Sequence, residues 1–247
     1  MAAPTIFATQ VSQQASGVTA SNVTLPASVA AGDLVIAFVA ADSGAGAMTW
    51  PSPWVNIKDE AGTGFVFSCA YLIASGGETT VAATHTSERS NHIAARIKAA
   101  EWHGTTAPEI TANANGSSTG PDPPSLTPSW GSDTTLWVAV CAADDSAAPF
   151  PITAWPTGYT DNQVGNSTAT SAACVAICSK GATAASDDPA AFTMTGTETW
   201  NAYTLAVRPA AGGGAPVTVV SPAAAVTAAG PVGTLNARSP FMNTTIG

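Results

Sequence analysis

The chain has 247 residues, 45% of them hydrophobic and only 9% charged, with a net charge of −9, so it can bury one large core or two small ones. Seven Lys and Arg stand against sixteen Asp and Glu, and none of the basic residues precedes Lys58, which excludes a nucleic-acid binder that works by neutralising phosphates. The longest apolar run, Leu34–Ala41, is eight residues, against the roughly 20 of a spanning helix; no membrane partner is expected, and Met1–Gln14 lacks the basic and apolar stretches of a secretory signal.

Composition points to β structure. The chain holds 51 Ala, 33 Thr, 22 Ser, 22 Gly and 18 Pro. Alanine favours helix, but a helix needs a polar face, usually of Glu, Lys, Arg or Gln. Here the polar residues are Thr, Ser and Asn, which suit strands and turns. In chain order, apolar runs at Leu34–Ala41, Gly64–Ala74, Thr134–Ala143, Ser171–Ser179 and Asn201–Arg208 read as strands separated by turns.

Those runs recur. Leu34-Val35-Ile36-Ala37-Phe38-Val39-Ala40-Ala41-Asp42 is echoed by Leu136-Trp137-Val138-Ala139-Val140-Cys141-Ala142-Ala143-Asp144, an offset of 102. Trp50-Pro51 through Trp54 is echoed by Trp155-Pro156 through Tyr159 at 105, Cys69–Gly77 by Cys174–Gly181 at 104 to 105, and Pro4-Thr5-Ile6 by Pro108-Glu109-Ile110 at 104. Four landmarks in one order predict a duplication, with repeat one at 1–104 and repeat two at 105–210. Each repeat supplies a strand near Asn22–Pro26 or Ser125–Pro128, the Leu34 or Leu136 strand, a third at Gly64–Ala74 or Ser171–Ser179, and a last at His92–Trp102 or Asn201–Arg208. The expected fold class is all-β: an antiparallel two-sheet β-sandwich, jelly-roll-like in size, in which two half-sheets close one core over residues 1–210.

Beyond Arg208-Pro209, a glycine-rich hinge opens a stretch at 211–247 with one charge, Arg238, and prolines at 216, 222, 231 and 240. Prolines so spaced forbid a helix, so this is expected to be an extended arm that clasps a neighbouring subunit, adding a strand through Val217–Val220. Its candidate partner contacts are Val217, Val219, Val220, Leu235 and Phe241.

Catalytic chemistry is sparse. His85, Glu88 and His92 could share a helix face and hold zinc, but Val81–Ser90 is Thr/Ser-rich and falls where the repeat predicts a turn, so incidental histidines in a loop are expected; His103 marks a strand end. Asp59-Glu60, Asp144-Asp145 and Asp187-Asp188 are chain neighbours rather than carboxylates facing across a cleft, and they lack the dense pattern of a calcium loop. Cys174 and Cys178 would lie on one face of a strand about 13 Å apart, too far for a disulfide or a shared metal. Cys69 and Cys174 fall at equivalent repeat positions, and all four cysteines, with Cys141, are expected to be free core thiols in a protein assembled in a reducing cytoplasm. No nucleophile elbow, phosphate loop or dinucleotide fingerprint is present, so no catalytic residue, metal or cofactor is expected. Trp50, Trp54, Trp155 and Tyr159, at matched loop positions, are either plugs of the sandwich core or a sugar-stacking platform.

The ordered set Ala31–Val39, Trp50-Pro51-Ser52-Pro53-Trp54, Ala70–Glu78, Glu101-Trp102-His103-Gly104-Thr105 and Leu205–Ala210 resembles duplicated β-sandwich structural proteins of tailed bacteriophages, found as virion head or tail components. The resemblance covers about residues 1–210 and brings no catalytic residues. It implies assembly into a virion in the host cytoplasm, with the major capsid protein or other virion proteins and further copies of the chain as partners. The expected function is that of a non-enzymatic capsid decoration or cement subunit; the alternative is a tail or fibre appendage that binds a host receptor or glycan through the four aromatic residues.

Overall fold

Leu34–Ala41 has no polar face, and the structure, a computed structural model, gives each of its two faces a core of its own. Leu34, Ile36, Phe38 and Ala40 enter one buried cluster, while Val35, Ala37, Val39 and Ala41 enter another. Successive strand residues point to opposite sides, so a run with no polar position requires cover on both. The structure describes residues 2–42, 46–61, 64–145, 152–165 and 172–211, and Met1–Gly212 form one compact unit.

The described residues contain thirteen strands and no helix. They are β1 (Ala8–Thr24), β2 (Leu34–Asp42), β3 (Val55–Ala61), β4 (Phe65–Ile73), β5 (Thr80–Ile97), β6 (Glu109–Ile110), β7 (Ala114–Ser118), β8 (Asp133–Asp145), β9 (Ile152–Ala154), β10 (Thr160–Gly165), β11 (Ala172–Ala184), β12 (Thr193–Met194) and β13 (Glu198–Val207). The first sheet runs β1-β5-β2-β4-β3 and the second β10-β11-β8-β13-β6, with β7 also on β13; β9 and β12 pair separately. Every ladder is antiparallel. The two sheets share one core, in which Leu34, Phe38, Phe67 and Ile93 of the first meet Val138, Val140, Val175 and Tyr203 of the second; Phe67 stacks on Tyr203 with ring centroids 4.6 Å apart.

Each sheet comes from one contiguous stretch of chain. A jelly roll, built from two Greek keys, shares its strands between both sheets, so the jelly-roll part of the expectation has no counterpart in this strand order. The outer faces are lined by small residues, Ala37, Ala41, Ala70 and Ala94 on one sheet and Ala139, Cys141, Ala143, Cys174, Ala176 and Cys178 on the other. Larger side chains lie over them: Met48 and Trp50 from the connections on the first, Tyr159 and Phe192 from the connections and Trp200 of β13 on the second.

Several sequence expectations shift. Val81–Ser90 is not a turn but part of β5, an 18-residue strand; Val81, Ala83 and His85 are buried in alternation with Ala82, Thr84 and Thr86, which is a strand period. The strand expected at Asn22–Pro26 is the end of the 17-residue β1. That expected at Ser125–Pro128 reduces to a single bridge between Leu126 and Asp187, because prolines at 121, 123, 124 and 128 cannot donate to a ladder. The edge strands β3 and β10 carry Lys58, Asp59, Glu60 and Asp161 and so offer no apolar run to find. Cys69 and Cys174 are not equivalent: Cys69 lies opposite Phe38, and opposite Val140, the counterpart of Phe38, lies Ile177. Cys69 faces the shared core and Cys174 the outer one.

Candidate functional site

The aromatic segments point inward. Trp50, 8% exposed, stacks on Trp54 with centroids 5.5 Å apart and donates from Nε1 to the Ser68 hydroxyl at 2.9 Å. Trp155 meets Phe192 edge-on at 5.7 Å. Tyr159, 7% exposed, donates its hydroxyl to Asp187, which also pairs with Lys180 at 2.6 Å; Lys180 in turn lies 4.8 Å from the Tyr159 ring centroid. Burial, then the Asp187 carboxylate, pushes the Tyr159 phenol far above its usual pKa. All four rings cover the outer cores, two on each sheet.

The histidines are no loop bystanders. Ser12 Oγ meets His92 Nδ1 at 3.0 Å, Ser90 Oγ meets His92 Nε2 at 2.7 Å, Ser21 Oγ donates to Ser90 Oγ at 2.6 Å, and Ser21 Oγ meets His85 Nε2 at 2.7 Å. The chain continues through His85 Nδ1 to the Thr86 carbonyl. The amide of Thr24 donates to Ser12 Oγ at 3.0 Å, although twelve residues of straight strand would span roughly 40 Å. The β1–β5 ribbon therefore folds back on itself at its bulges between Gln14 and Ala20, laying Val23, Val81 and Ala83 over the outer face of the first sheet and enclosing the serine–histidine network in the crook. With both ring nitrogens of each histidine engaged, no lone pair is left for zinc. Among the described residues no three His, Cys, Asp or Glu side chains are placed to hold a metal ion.

Asp59 and Glu60 diverge on β3. Asp59 accepts the Met48 amide at 2.9 Å, and its pKa is raised by burial, with the Met48 bond pulling it down and Glu60 adding to the rise. Glu60 pairs with Lys58 at 3.3 Å. Asp187 belongs to the Tyr159 cluster, whereas Asp188 is exposed. His103, six residues beyond the end of β5, accepts or donates at the Thr106 hydroxyl, 2.7 Å away.

Two features remain open to other molecules. The first is the edge of β1. Among the described residues its only ladder neighbour is β5, and Ala8–Gln14 pairs in regular register, with no charge and no proline, before the first bulge. Phe7 and Val11 beside it are 51% and 36% exposed. Edges are normally defended by charges, prolines or bulges; β3 and β10 carry charges, and this stretch of β1 does not.

The second is a cleft of about 550 Å³ lined by Glu60, Ala61, Asn113, Asn115, Gly116, Ser117, Thr199 and Asn201. Asn115 pairs with Asn201 and Ser117 with Thr199 across the β7–β13 ladder, so these side chains share the face that farther along β13 bears Tyr203 and Leu205. Sandwich strands present apolar residues there. The sequence reading missed this site; its signal was the polar alternation Asn113, Asn115, Ser117. Compared with known proteins, the chain matches no family model, no curated protein and no solved structure.

Proposed function

We propose that the chain is a non-enzymatic structural subunit of a virus particle, a capsid decoration or cement protein that bridges neighbouring shell subunits. The observation that carries this reading is the edge of β1: seven uncharged residues, Ala8–Gln14, whose only ladder partner among the described residues is β5, with Phe7 and Val11 exposed. Such an edge recruits a strand from another chain, the main chain giving affinity and alternate side chains specificity. A subunit that bridges several shell proteins adds contacts that must break before the shell does.

The reading includes a duplicated sandwich. Its support is the common strand order of the two sheets, first strand, last, second, fourth, third, and the matched registers Leu34–Ile97 and Leu136–Val207. It also includes a C-terminal arm at 211–247 whose contacts would be Val217, Val219, Val220, Leu235 and Phe241; these residues lie outside those described. The appendage reading needs accessible rings at Trp50, Trp54, Trp155 and Tyr159, and their packing favours the cement reading instead.

The test is to mix the purified chain with undecorated phage shells and measure cosedimentation and the shell's melting temperature. Binding that raises the melting temperature, and is weakened by Val11→Lys, is expected. No binding together with unchanged heat resistance would overturn the proposal.

A further inference from the structure

Asn91 and Asn201 occupy the same place in the two sheets. Each lies across the ladder from the equivalent alanine of the central strand, Ala40 and Ala142, each is two residues before a side chain of the shared core, Ile93 and Tyr203, and each is at most 1% exposed. Asn91 closes its contact within the protein: Nδ2 donates to the Ala173 carbonyl at 2.6 Å, with Oδ1 left over. At Asn201 no carbonyl answers. Its Oδ1 accepts from Asn113 Nδ2 at 3.3 Å, while Asn201 Nδ2 and Asn113 Oδ1 have no hydrogen-bond partner among the described residues. The Tyr203 hydroxyl, two residues on, is close enough for the Asn201 amide to pull its pKa down against the larger upward push of burial, yet it too lacks a partner in hydrogen-bond geometry.

Where Asn91 meets a backbone carbonyl, Asn201 lies in the wall of the cleft, with its amide beside the Tyr203 hydroxyl. A buried amide carries the full cost of desolvation unless something binds it. A hydroxyl group is donor and acceptor at once and suits this half-satisfied amide pair, whose two unpaired atoms are covered in the unliganded protein and must turn to meet it. The rest of the wall, Asn115, Ser117 and Thr199, is neutral and hydrogen-bonding. Among the described residues Glu60 is the only charged lining residue and is acidic, with Lys58 on it as counter-ion, so phosphates, sulfates and carboxylates are disfavoured. Among the described residues no large apolar side chain lines the cleft, which disfavours lipids and aromatic ligands. The volume lies within the range of small-molecule sites.

We propose that the cleft between β3 and the β7–β13 ladder binds a neutral saccharide, held by Asn113, Asn115 and Asn201 with Glu60 at the rim. This assignment does not depend on the assembly role and uses none of the aromatic loop residues.

The test is saturation-transfer NMR followed by calorimetry on the full chain, with maltotriose, cellotriose, mannotriose and triacetylchitotriose as probes. Binding of at least one probe is expected, weakened about tenfold or more by Asn113→Ala. Ser117→Trp, a substitution at an exposed position that fills the cleft without disturbing the core, is expected to abolish it. Trp54→Ala is expected to leave it unchanged. Failure of all four probes, or binding that survives both cleft variants while they remain folded, would overturn the proposal. Binding lost only with Trp54→Ala would overturn it too, and would return the aromatic loops to consideration.

Discussion

The Arg96 guanidinium and the Asp33 carboxylate form a buried ion pair, Nε to Oδ2 at 2.6 Å, with side chains 9% and 3% exposed. Asp33 also accepts the amides of Ala30 at 2.9 Å and Ala99 at 3.0 Å, so one carboxylate ties the turn before β2 to the end of β5. Burial alone would raise its pKa, but these bonds and the Arg96 charge outweigh it and hold the acid below its usual value. Asp33→Ala strands a buried cation and two amides, for which a loss of about 3–5 kcal/mol is expected. Urea unfolding of the variant checks this; a loss under about 1 kcal/mol would show that water reaches the site.

His92 gives the protein a stability that depends on pH. Burial, with the neighbouring His85 adding to it, pushes the His92 pKa from 6.5 down to about 3. The folded state thus holds His92 neutral where the unfolded chain takes up a proton. The stabilising contribution is fully present above pH 6.5 and is lost progressively as pH falls from 6.5 to about 3, at up to about 1.4 kcal/mol per pH unit. A melting temperature that drops steadily between pH 6.5 and 4.5 is expected, and His92→Gln should be less stable at pH 8 but flatter across that range. A wild-type melting temperature constant from pH 7 to 4.5 would contradict it.

The central strands were legible in the sequence because β2, β4, β8, β11 and β13 are buried on both faces, and such strands read as unbroken apolar runs. The folded ribbon of β1 and β5 was not, because Ser12, Ser21, Ser90, His85 and His92 are polar yet satisfy one another in the crook, and polar residues between two apolar runs look like a turn. The sequence paired the Trp-Pro segments with each other, but the choice between plug and platform needed the partners of Trp50 and Tyr159. The cleft was hidden for a different reason: Asn113 and Asn201 are 88 residues apart, and only the strand order brings them together.

Gly116 owes its place to Trp200. A Cβ at Gly116 would stand 2.7 Å from Trp200 Cζ2 and 3.0 Å from Cε2, and the indole is 7% exposed and anchored by its Nε1 bond to Ser118 Oγ at 3.0 Å. The ring cannot swing aside without leaving that bond. Gly116→Ala is expected to cost about 1–3 kcal/mol. Gly196→Ala, whose Cβ would meet only the tip of the Glu198 side chain at 3.2 Å, should stay within about 0.5 kcal/mol. Paired denaturant curves decide between this steric account and a general intolerance of alanine in the second sheet.

The four thiols make the closure of the two cores measurable. Cys69 lies between the sheets, and Cys141, Cys174 and Cys178 lie beneath the aromatic cover of the second sheet, all buried and none in a disulfide. Burial raises the pKa of Cys69, Cys141 and Cys178 well beyond the ordinary thiol range, so the reactive thiolate is scarce as well as inaccessible. Cys141 is opposite Ala176, which puts it diagonally between Cys174 and Cys178, yet too far from either for a relaxed disulfide. Ellman's reagent should therefore label no thiol in the native protein at pH 8 and all four in urea, with a native labelling rate set by unfolding. Tyr159→Ala, which removes part of the cover over the second sheet, should speed labelling of the three outer thiols and leave Cys69 at the unfolding-limited rate. Equal acceleration at all four would mean that the outer and shared cores open together.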